Sequence, residues 1–560
     1  TSIGSSAFDG CSGLTGELNL GGCTSLTSIG YSAFNGCSGL KGELNLGGCT
    51  SLTSIGSNAF YGCSGLTIVD LSGCTSLTSI GNAAFSGCSG LTSVDLSGCT
   101  SLTSIRNAAF NGCRGLTSIS LPSSLTSIGY GAFSGCSKLQ PSATDQGVKY
   151  LGSEQNPYLV LWDGKDITSS SYIVNSNCKV ICSDAFRDCS GLTSITLPSS
   201  LTSIGSSAFY RCSGLTSIDL GNCTNLTSIE DSSFFWCERL ERLILPASIT
   251  SISGDPFYGC SEIEIVEFKG TLLEWLSVSI EYGGNTWITS SYKFIINGEE
   301  VTNLVIPEGI EVIGDQLFTG CSGLTSISLP SSLTSIGYSS FSGCTGLKSI
   351  DLSGCTNLTS IRDRAFTGCR NLTSITLPSS LTSIGRFAFS GCRNLTSIIV
   401  EEGNTVYHSE GNCLIETESN TLVLGCKNSI IPSYITSIGD SAFSNCSELT
   451  SIDLSNCTNL TSIGDSAFGD CAGLTSITLP ASLTSIGSRA FYPCDNLTEV
   501  IIDSEYVYTN ATSMMACGHL LFNATTVKVL TSLVQENHAY INSANFTNVT
   551  TEGDYTVYKK

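Results

Sequence analysis

The chain has 560 residues, a formal net charge of −22 and only 12% charged side chains. So few Lys and Arg exclude a nucleic-acid backbone as partner, because binding by counterion release needs cations, and they exclude electrostatic docking on anionic lipid. No apolar run reaches the roughly 18–20 residues that cross a membrane, so no membrane span is expected.

Residues 1–140 repeat one phrase, in copies 23 to 26 residues long. A clear copy, from Leu116 to Cys136, reads Leu-Thr-Ser-Ile-Ser-Leu-Pro-Ser-Ser-Leu-Thr-Ser-Ile-Gly-Tyr-Gly-Ala-Phe-Ser-Gly-Cys. The Phe of the closing Phe-x-x-Cys falls at Phe8, Phe34, Phe60, Phe85, Phe110 and Phe133. Such a period means stacked supersecondary units and no closed globular core. The chain opens in mid-repeat at Thr1, without Met or a signal peptide, which suggests a processed or trimmed chain whose first coil exposes its core.

Within one repeat, Leu91-Thr-Ser-Val94-Asp-Leu96-Ser-Gly-Cys99 follows the Leu-x-x-Leu-x-Leu-x-x-Asn/Cys template of a leucine-rich repeat. Val94 and Leu96 alternate with Ser93, Asp95 and Ser97, the period of a strand with one buried face. Leu102 to Ile105 gives a second short extended segment, Ala109 and Phe110 turn inward, and Gly112-Cys113 closes the coil. Ser, Thr, Gly and β-branched residues dominate, so few helices are expected. Copies with Leu-Pro, such as Leu121-Pro122 and Leu197-Pro198, are shorter by two residues than those with Leu-Ser-Gly-Cys or Leu-Gly-Asn-Cys. Unequal rungs should wedge the stack and set a curvature.

Further along, 141–177 departs from the repeat and holds Tyr158 and Trp162. Repeats resume over 178–268, with Phe186, Phe209, Phe234 and Phe257. A second departure, 269–303, holds Trp275, Tyr282, Trp287 and the hairpin-turn signal Asn297-Gly298. Residues 304–400 repeat again at Phe318, Phe341, Phe366 and Phe389; 401–430, with Gly403-Asn404 and Asn412-Cys413, interrupts; 431–502 closes the series at Phe443, Phe468 and Phe491. Each interruption reads as a degenerate rung with a hairpin. Residues 503–560 read as a C-terminal cap: Val527 to Leu530 extended, Ser532 to Asn537 a short helix, Thr547 to Tyr558 a hairpin.

The 29 cysteines fall mostly in two columns. Seventeen stand three residues after the repeat Phe, and seven stand in the Leu-x-x-Cys turn at Cys23, Cys49, Cys74, Cys99, Cys223, Cys355 and Cys457. Equivalent residues on stacked rungs lie about 4.8 Å apart, but their parallel Cβ vectors suit a disulfide poorly. Buried thiols closing each turn are expected. Cys178 and Cys182, outside the columns, are the candidates for a bridged or reactive pair, and zinc is not expected from their spacing.

Nothing in the chain resembles a catalytic motif. His408, His519 and His538 are far apart, and no nucleophile elbow, phosphate loop or zinc-protease pattern occurs. No catalytic residue, metal or cofactor is expected. Candidate binding residues are the aromatics of the interruptions, Tyr158, Trp162, Trp275, Tyr282 and Trp287, where local variation carries recognition. The carboxylates Asp95, Asp219, Asp351 and Asp453, at exposed strand positions, are the others. Asn-x-Ser/Thr sequons at Asn225, Asn357, Asn371, Asn394, Asn459 and Asn496 could carry glycans in a secreted eukaryotic protein.

The Ala-Phe-x-x-Cys ending, with Ile-Gly upstream and seventeen copies, resembles the BspA-like (Treponema pallidum-type) leucine-rich repeats over about 85% of the chain. The resemblance implies a β-rich leucine-rich-repeat solenoid, a curved right-handed stack with hairpin insertions, on secreted or surface-attached proteins. It implies adhesion to a protein or glycan on another cell surface, and brings no catalytic residues. Binding would use the concave strand face and the aromatic insertions. The alternatives are a structural protein assembling end to end through the open N-terminal edge, and a passive surface spacer.

Overall fold

A computed structural model describes residues 1–281, 288, 291–505, 520–521, 523–534, 546 and 548–560. They form two compact units, Thr1–Ser290 with Ile295–Gly298, and Ser291–Phe294 with Glu299–Lys560. Both are built from the same β-solenoid rung, with almost no helix: Leu272–Leu276 is a short α-helix and Thr531–Leu533 a 3-10 turn.

In the first unit the recurring Ser-Ile pairs stack as a parallel six-stranded sheet, from Ser2–Ile3 through Ser28–Ile29, Ser54–Ile55, Ser79–Ile80 and Ser104–Ile105 to Ser127–Ile128. The register sets Ser on Ser and Ile on Ile. A second parallel sheet joins Gly16–Asn19, Leu40–Asn45, Leu66–Asp70, Ser93–Asp95 and Ser118–Ser120. Between the sheets lie the Leu, Val and Ile side chains and a column of Phe rings. Phe34, Phe60, Phe85 and Phe110 stack at centroid distances of 5.2 to 5.4 Å, within 5° of parallel. The Thr of Leu-Thr-Ser-Ile binds rung to rung: Thr53 Oγ1 donates to the Thr27 carbonyl at 2.9 Å, and Thr78 Oγ1 to the Thr53 carbonyl at 3.0 Å.

The second unit repeats this plan. Its Ser-Ile-type strands run Val312–Ile313, Ser335–Ile336, Ser360–Ile361 and Ser383–Ile384, and after the interruption Ser437–Ile438, Ser462–Ile463 and Ser485–Ile486. At its end, Glu499–Ile502 pairs in parallel with Thr526–Leu530, which pairs antiparallel with Tyr555–Lys559; Asn548–Glu552 completes a hairpin. The 3-10 turn covers the start of the helix expected over 532–537, whose last residues lie outside the described ones.

Two interruptions share one solution. Strands Ala143–Asp145, Val148–Leu151 and Val160–Asp163 form an antiparallel meander, as do Tyr407–Glu410, Cys413–Glu416 and Thr421–Leu424. Each meander hands on to the next parallel strand. Neither rung has a Phe of its own. A glycine stands next, Gly164 or Gly425, where any Cβ would overlap the ring of Phe186 or Phe443.

Rung length fixes a second glycine column. Where a long rung stacks on a long rung, at Gly48, Gly73 and Gly98, a Cβ would overlap the carbonyl oxygen of the rung before. Where a long rung follows a Leu-Pro rung, the same column holds Asn222, or Gly354 with nothing within 4 Å.

The cysteine columns are ladders of thiol-to-carbonyl bonds. Cys63 Sγ donates to the Phe34 carbonyl at 3.1 Å, and Cys88 and Cys113 repeat this at 3.2 Å to Phe60 and Phe85. In the other column Cys74 and Cys99 reach the Leu46 and Leu71 carbonyls at 3.2 Å. Each thiol is thereby the second donor to a buried carbonyl that already accepts the cysteine N–H of its own rung, as Phe34 does from Cys37 at 3.2 Å. All described cysteines are free. Cys178 and Cys182, expected as a bridged or reactive pair, are instead separate buried thiols; burial pushes Cys178 up to about 12 and raises Cys182 further. Maleimide labelling of the native chain at neutral pH will therefore mark Cys11 and Cys23, the exposed ones, at least a hundredfold faster than Cys88, Cys178 or Cys182. Peptide mapping checks it; fast labelling of Cys178 would overturn the burial argument.

Candidate functional site

The expected binding residues separate into three groups. Trp162 is half-buried, packs on the hydrophobic core and lines a cavity at the first interruption. Tyr158 stands edge-on to Tyr150, ring centroids 5.2 Å apart. Trp275 is 0% exposed: it belongs to the Leu272–Leu276 helix, whose N-terminus Thr271 caps, and packs on Phe268 at 5.1 Å. It fills the core and offers no surface to a partner, which corrects the expectation from its place in an interruption. Tyr282 and Trp287 lie outside the described residues.

The strand carboxylates are exposed but locally engaged. Asp95 accepts from the Ser97 backbone N–H at 2.9 Å and from Ser97 Oγ at 2.7 Å. Asp219 accepts from Gly221 N–H at 2.8 Å, Asp351 from Ser353 N–H at 3.0 Å, and Asp453 from Ser455 N–H at 2.9 Å. The bonds from Ser455 hold the Asp453 carboxyl below its usual range. The side chain of each of the four caps the turn that ends its strand.

Several sequon amides also have a place in the stack. Asn357, Asn371 and Asn496 donate to the carbonyls of Ser331, Thr345 and Ala472, one rung earlier, at 3.0, 2.8 and 2.7 Å. Asn394 donates to Asn371 Oδ1 at 3.4 Å, and Asn225 and Asn459 are exposed. His408 bridges Thr417 and Tyr434 at 3.0 Å each, bracing a hairpin; His519 and His538 are outside the described residues. No group of three metal-ligating side chains occurs among the described residues.

Two features of the first unit carry more chemistry. The first is a row that the sequence reading did not single out. It occupies the two x positions of Phe-x-x-Cys. On the first six rungs the second position is always glycine and the first is small or polar except at Tyr61, as in Asn35-Gly36, Ser86-Gly87, Asn111-Gly112 and Ser134-Gly135. On four successive rungs they become Arg187-Asp188, Tyr210-Arg211, Phe235-Trp236 and Tyr258-Gly259. Tyr210 stacks on Phe235 at 5.4 Å and Phe235 on Tyr258 at 5.1 Å. The Arg187 guanidinium lies over the Tyr210 ring at 4.3 Å, and that of Arg211 at 5.4 Å. Trp236 is 41% exposed, and its ring lies against Gly259, where an added Cβ would meet it at 3.0 Å. Asp188, Arg211 and Trp236 keep the positive φ (63°, 57° and 60°) that glycine has on the first six rungs; in the second unit Asn445 and Asp470 do so at 62° and 57°. Holding such backbone without glycine costs about 1 kcal/mol a residue, so these side chains are not a conformational convenience. The signal was present in the sequence, in the variable positions of the repeat.

The second feature is a notch. Between the turn of residues 129–135 and that of 182–184 lies a cavity of about 380 Å³, lined by Phe133, Trp162, Asp163, Lys165 and Ser183 among others. The corresponding place in the second unit is nearly shut, at about 100 Å³. There Arg386 pairs with Asp440 at 2.7 Å, and the Gly391 N–H donates to the Ser444 carbonyl at 3.2 Å.

Comparison with known proteins places the repeat. The family model described as BspA type leucine rich repeat region matches in 6 copies, over residues 1–140, 165–279, 289–413 and 423–547. Among solved structures, a leucine rich cell surface protein from Faecalibacterium prausnitzii is 21% identical over 71% of this chain and 96% of its own, with a TM-score of 0.38. A leucine-rich repeat protein from Bacteroides ovatus is 23% identical over 80% and 82%, with a TM-score of 0.26. The T. pallidum leucine rich repeat protein is 19% identical over 57% and 78%, with a TM-score of 0.15. No curated protein matches.

Proposed function

This chain belongs to the BspA-type leucine-rich repeat family, and on that premise we propose that it is a non-catalytic, adhesin-like protein-binding module that acts at a cell surface or outside the cell. The observation that carries the reading is the row Arg187, Tyr210, Arg211, Phe235, Trp236 and Tyr258. Trp, Tyr and Arg supply most of the binding energy of protein interfaces, because they give large contact area and directed polar groups on stiff side chains. Here they are held ready by stacking, which lowers the ordering cost of association. A structural family whose neighbour from Faecalibacterium prausnitzii is described as a cell surface protein suits that role. Among the described residues no helix is long and apolar enough to cross a membrane.

The test is binding of the labelled chain to intact cells and to arrays of their surface proteins. Saturable, protease-sensitive binding is expected, and Tyr210→Ala with Trp236→Ala will weaken it at least tenfold while the circular dichroism spectrum stays unchanged. Equal binding by wild type and double variant would remove the row as the site; loss of binding on deglycosylation of the cells would move the ligand from protein to glycan.

A further inference from the structure

Every regular junction between rungs carries three backbone bonds at alternate residues. Ala108, Phe110 and Gly112 donate to the carbonyls of Tyr130, Ala132 and Ser134 at 2.9, 2.8 and 2.7 Å. One rung further, the equivalent donors are the N–H groups of Gly131, Phe133 and Gly135. These three have no partner among the described residues, and all three residues line the 380 Å³ notch. On the opposite wall Gly164 N–H takes the Ala185 carbonyl at 2.7 Å, while the carbonyl of Ser183 receives no backbone donor. Ser183 Oγ is buried there with no hydrogen-bond partner. Phe133, which stacks on Phe110 at 5.8 Å, also lines the notch.

One wall thus presents three partial positive charges two residues apart, and the other presents an acceptor, the Ser183 carbonyl. A peptide backbone complements both walls at once, since it offers carbonyls at that spacing and N–H groups between them. Phe133 is buried, Gly131 half-buried and Gly135 exposed, so the unpaired N–H of Phe133 gains most from a partner. We propose that the notch is a binding site for a peptide segment of a partner protein, which takes the place of the turn that the rung at 141–177 lacks. Its carbonyls accept from Gly131, Phe133 and Gly135. An aromatic side chain of the segment lies beside Phe133, and its neighbours are small, as in Ala-Phe. The site uses atoms other than those of the aromatic row, so either can fail alone.

The probe is the capped hexapeptide Tyr-Gly-Ala-Phe-Ser-Gly, the sequence of residues 130–135. Hydrogen exchange of the whole chain, read residue by residue, is compared with and without millimolar peptide. The amides of Gly131, Phe133 and Gly135 are expected to slow at least tenfold, that of Gly391 not at all, and Trp236→Ala leaves the effect intact. Replacing Phe by Ser in the hexapeptide will weaken it severalfold. No slowing at those three amides overturns the proposal, as does equal slowing by inorganic phosphate, which would make the notch an anion site.

Discussion

Raising the pH from 9 to about 11 will unfold this chain in a steep transition that reverses on acidification. Burial pushes the thiols of Cys63, Cys74, Cys99, Cys178, Cys321, Cys369, Cys413 and Cys494 up to about 12, from the 9.0 of a free cysteine. The sign follows from proton binding. Between 9 and 12 the unfolded chain has lost protons that the folded chain keeps, so stability falls with pH in that window and is untouched below it. Each such thiol contributes about 1.4 kcal/mol per pH unit, and the four in each unit together about 6 kcal/mol for every pH unit. That matches the whole stability of an ordinary domain, about 5 to 15 kcal/mol. Circular dichroism against pH, under reducing conditions, will show the loss of β signal. Iodoacetamide, inert toward these thiols at pH 7, will label them all at the same midpoint. A β signal that persists through pH 11.5 would show that the ladders are not the weak point.

Gly98→Ala will destabilise the first unit by about 3 kcal/mol or more, while Gly354→Ala will change stability by less than about 0.5 kcal/mol. The two glycines occupy the same column of Leu-Ser-Gly-Cys. At Gly98 a Cβ would overlap the Ser72 carbonyl oxygen, which belongs to the backbone and cannot rotate aside. The rungs would have to part at a point where Cys99 Sγ reaches the Leu71 carbonyl at 3.2 Å, so the thiol bond is lost with the packing. Gly354 follows the shorter Leu329-Pro330 rung and meets nothing within 4 Å. Urea unfolding of the two variants side by side settles the matter. Equal effects would mean that the column is glycine for its backbone freedom, and not for the closeness of the rung before.

The period of Phe-x-x-Cys and the alternation around Val94 and Leu96 were enough to read the solenoid, because each rung repeats the same burial problem and the same answer. The thiol columns were legible for the same reason. The hairpin near the C-terminus could be placed from its alternation, at Asn548–Glu552 and Tyr555–Lys559. Trp275 was misjudged because an interruption need not be a surface: a five-residue helix turned its ring inward onto Phe268. The aspartates were read as binding carboxylates, because their Asx bond to the residue two ahead, Ser or Gly, leaves no mark in the pattern. The aromatic row was overlooked because its members are spaced by a whole rung, and only stacking brings Tyr210, Phe235 and Tyr258 together. Of the notch only Trp162 was legible, since its donors are amides that lack a neighbour.

A gene that lengthens by copying inherits the rule of the glycine column as a constraint on what can be copied. Rungs touch only the rungs before and after them, so an added piece must merely satisfy its two new seams. Duplicating a Leu-Pro rung together with the long rung that follows recreates seams already in use, such as Leu197-Pro198 under Leu220-Gly-Asn222-Cys223. Duplicating a long rung alone sets it on another long rung, and Asn222 or Asn456 would first have to mutate to glycine. The pair is therefore the module that can be copied at Asn222 and Asn456, whereas the glycine-bearing rungs around Gly48, Gly73, Gly98 and Gly354 are free to multiply singly.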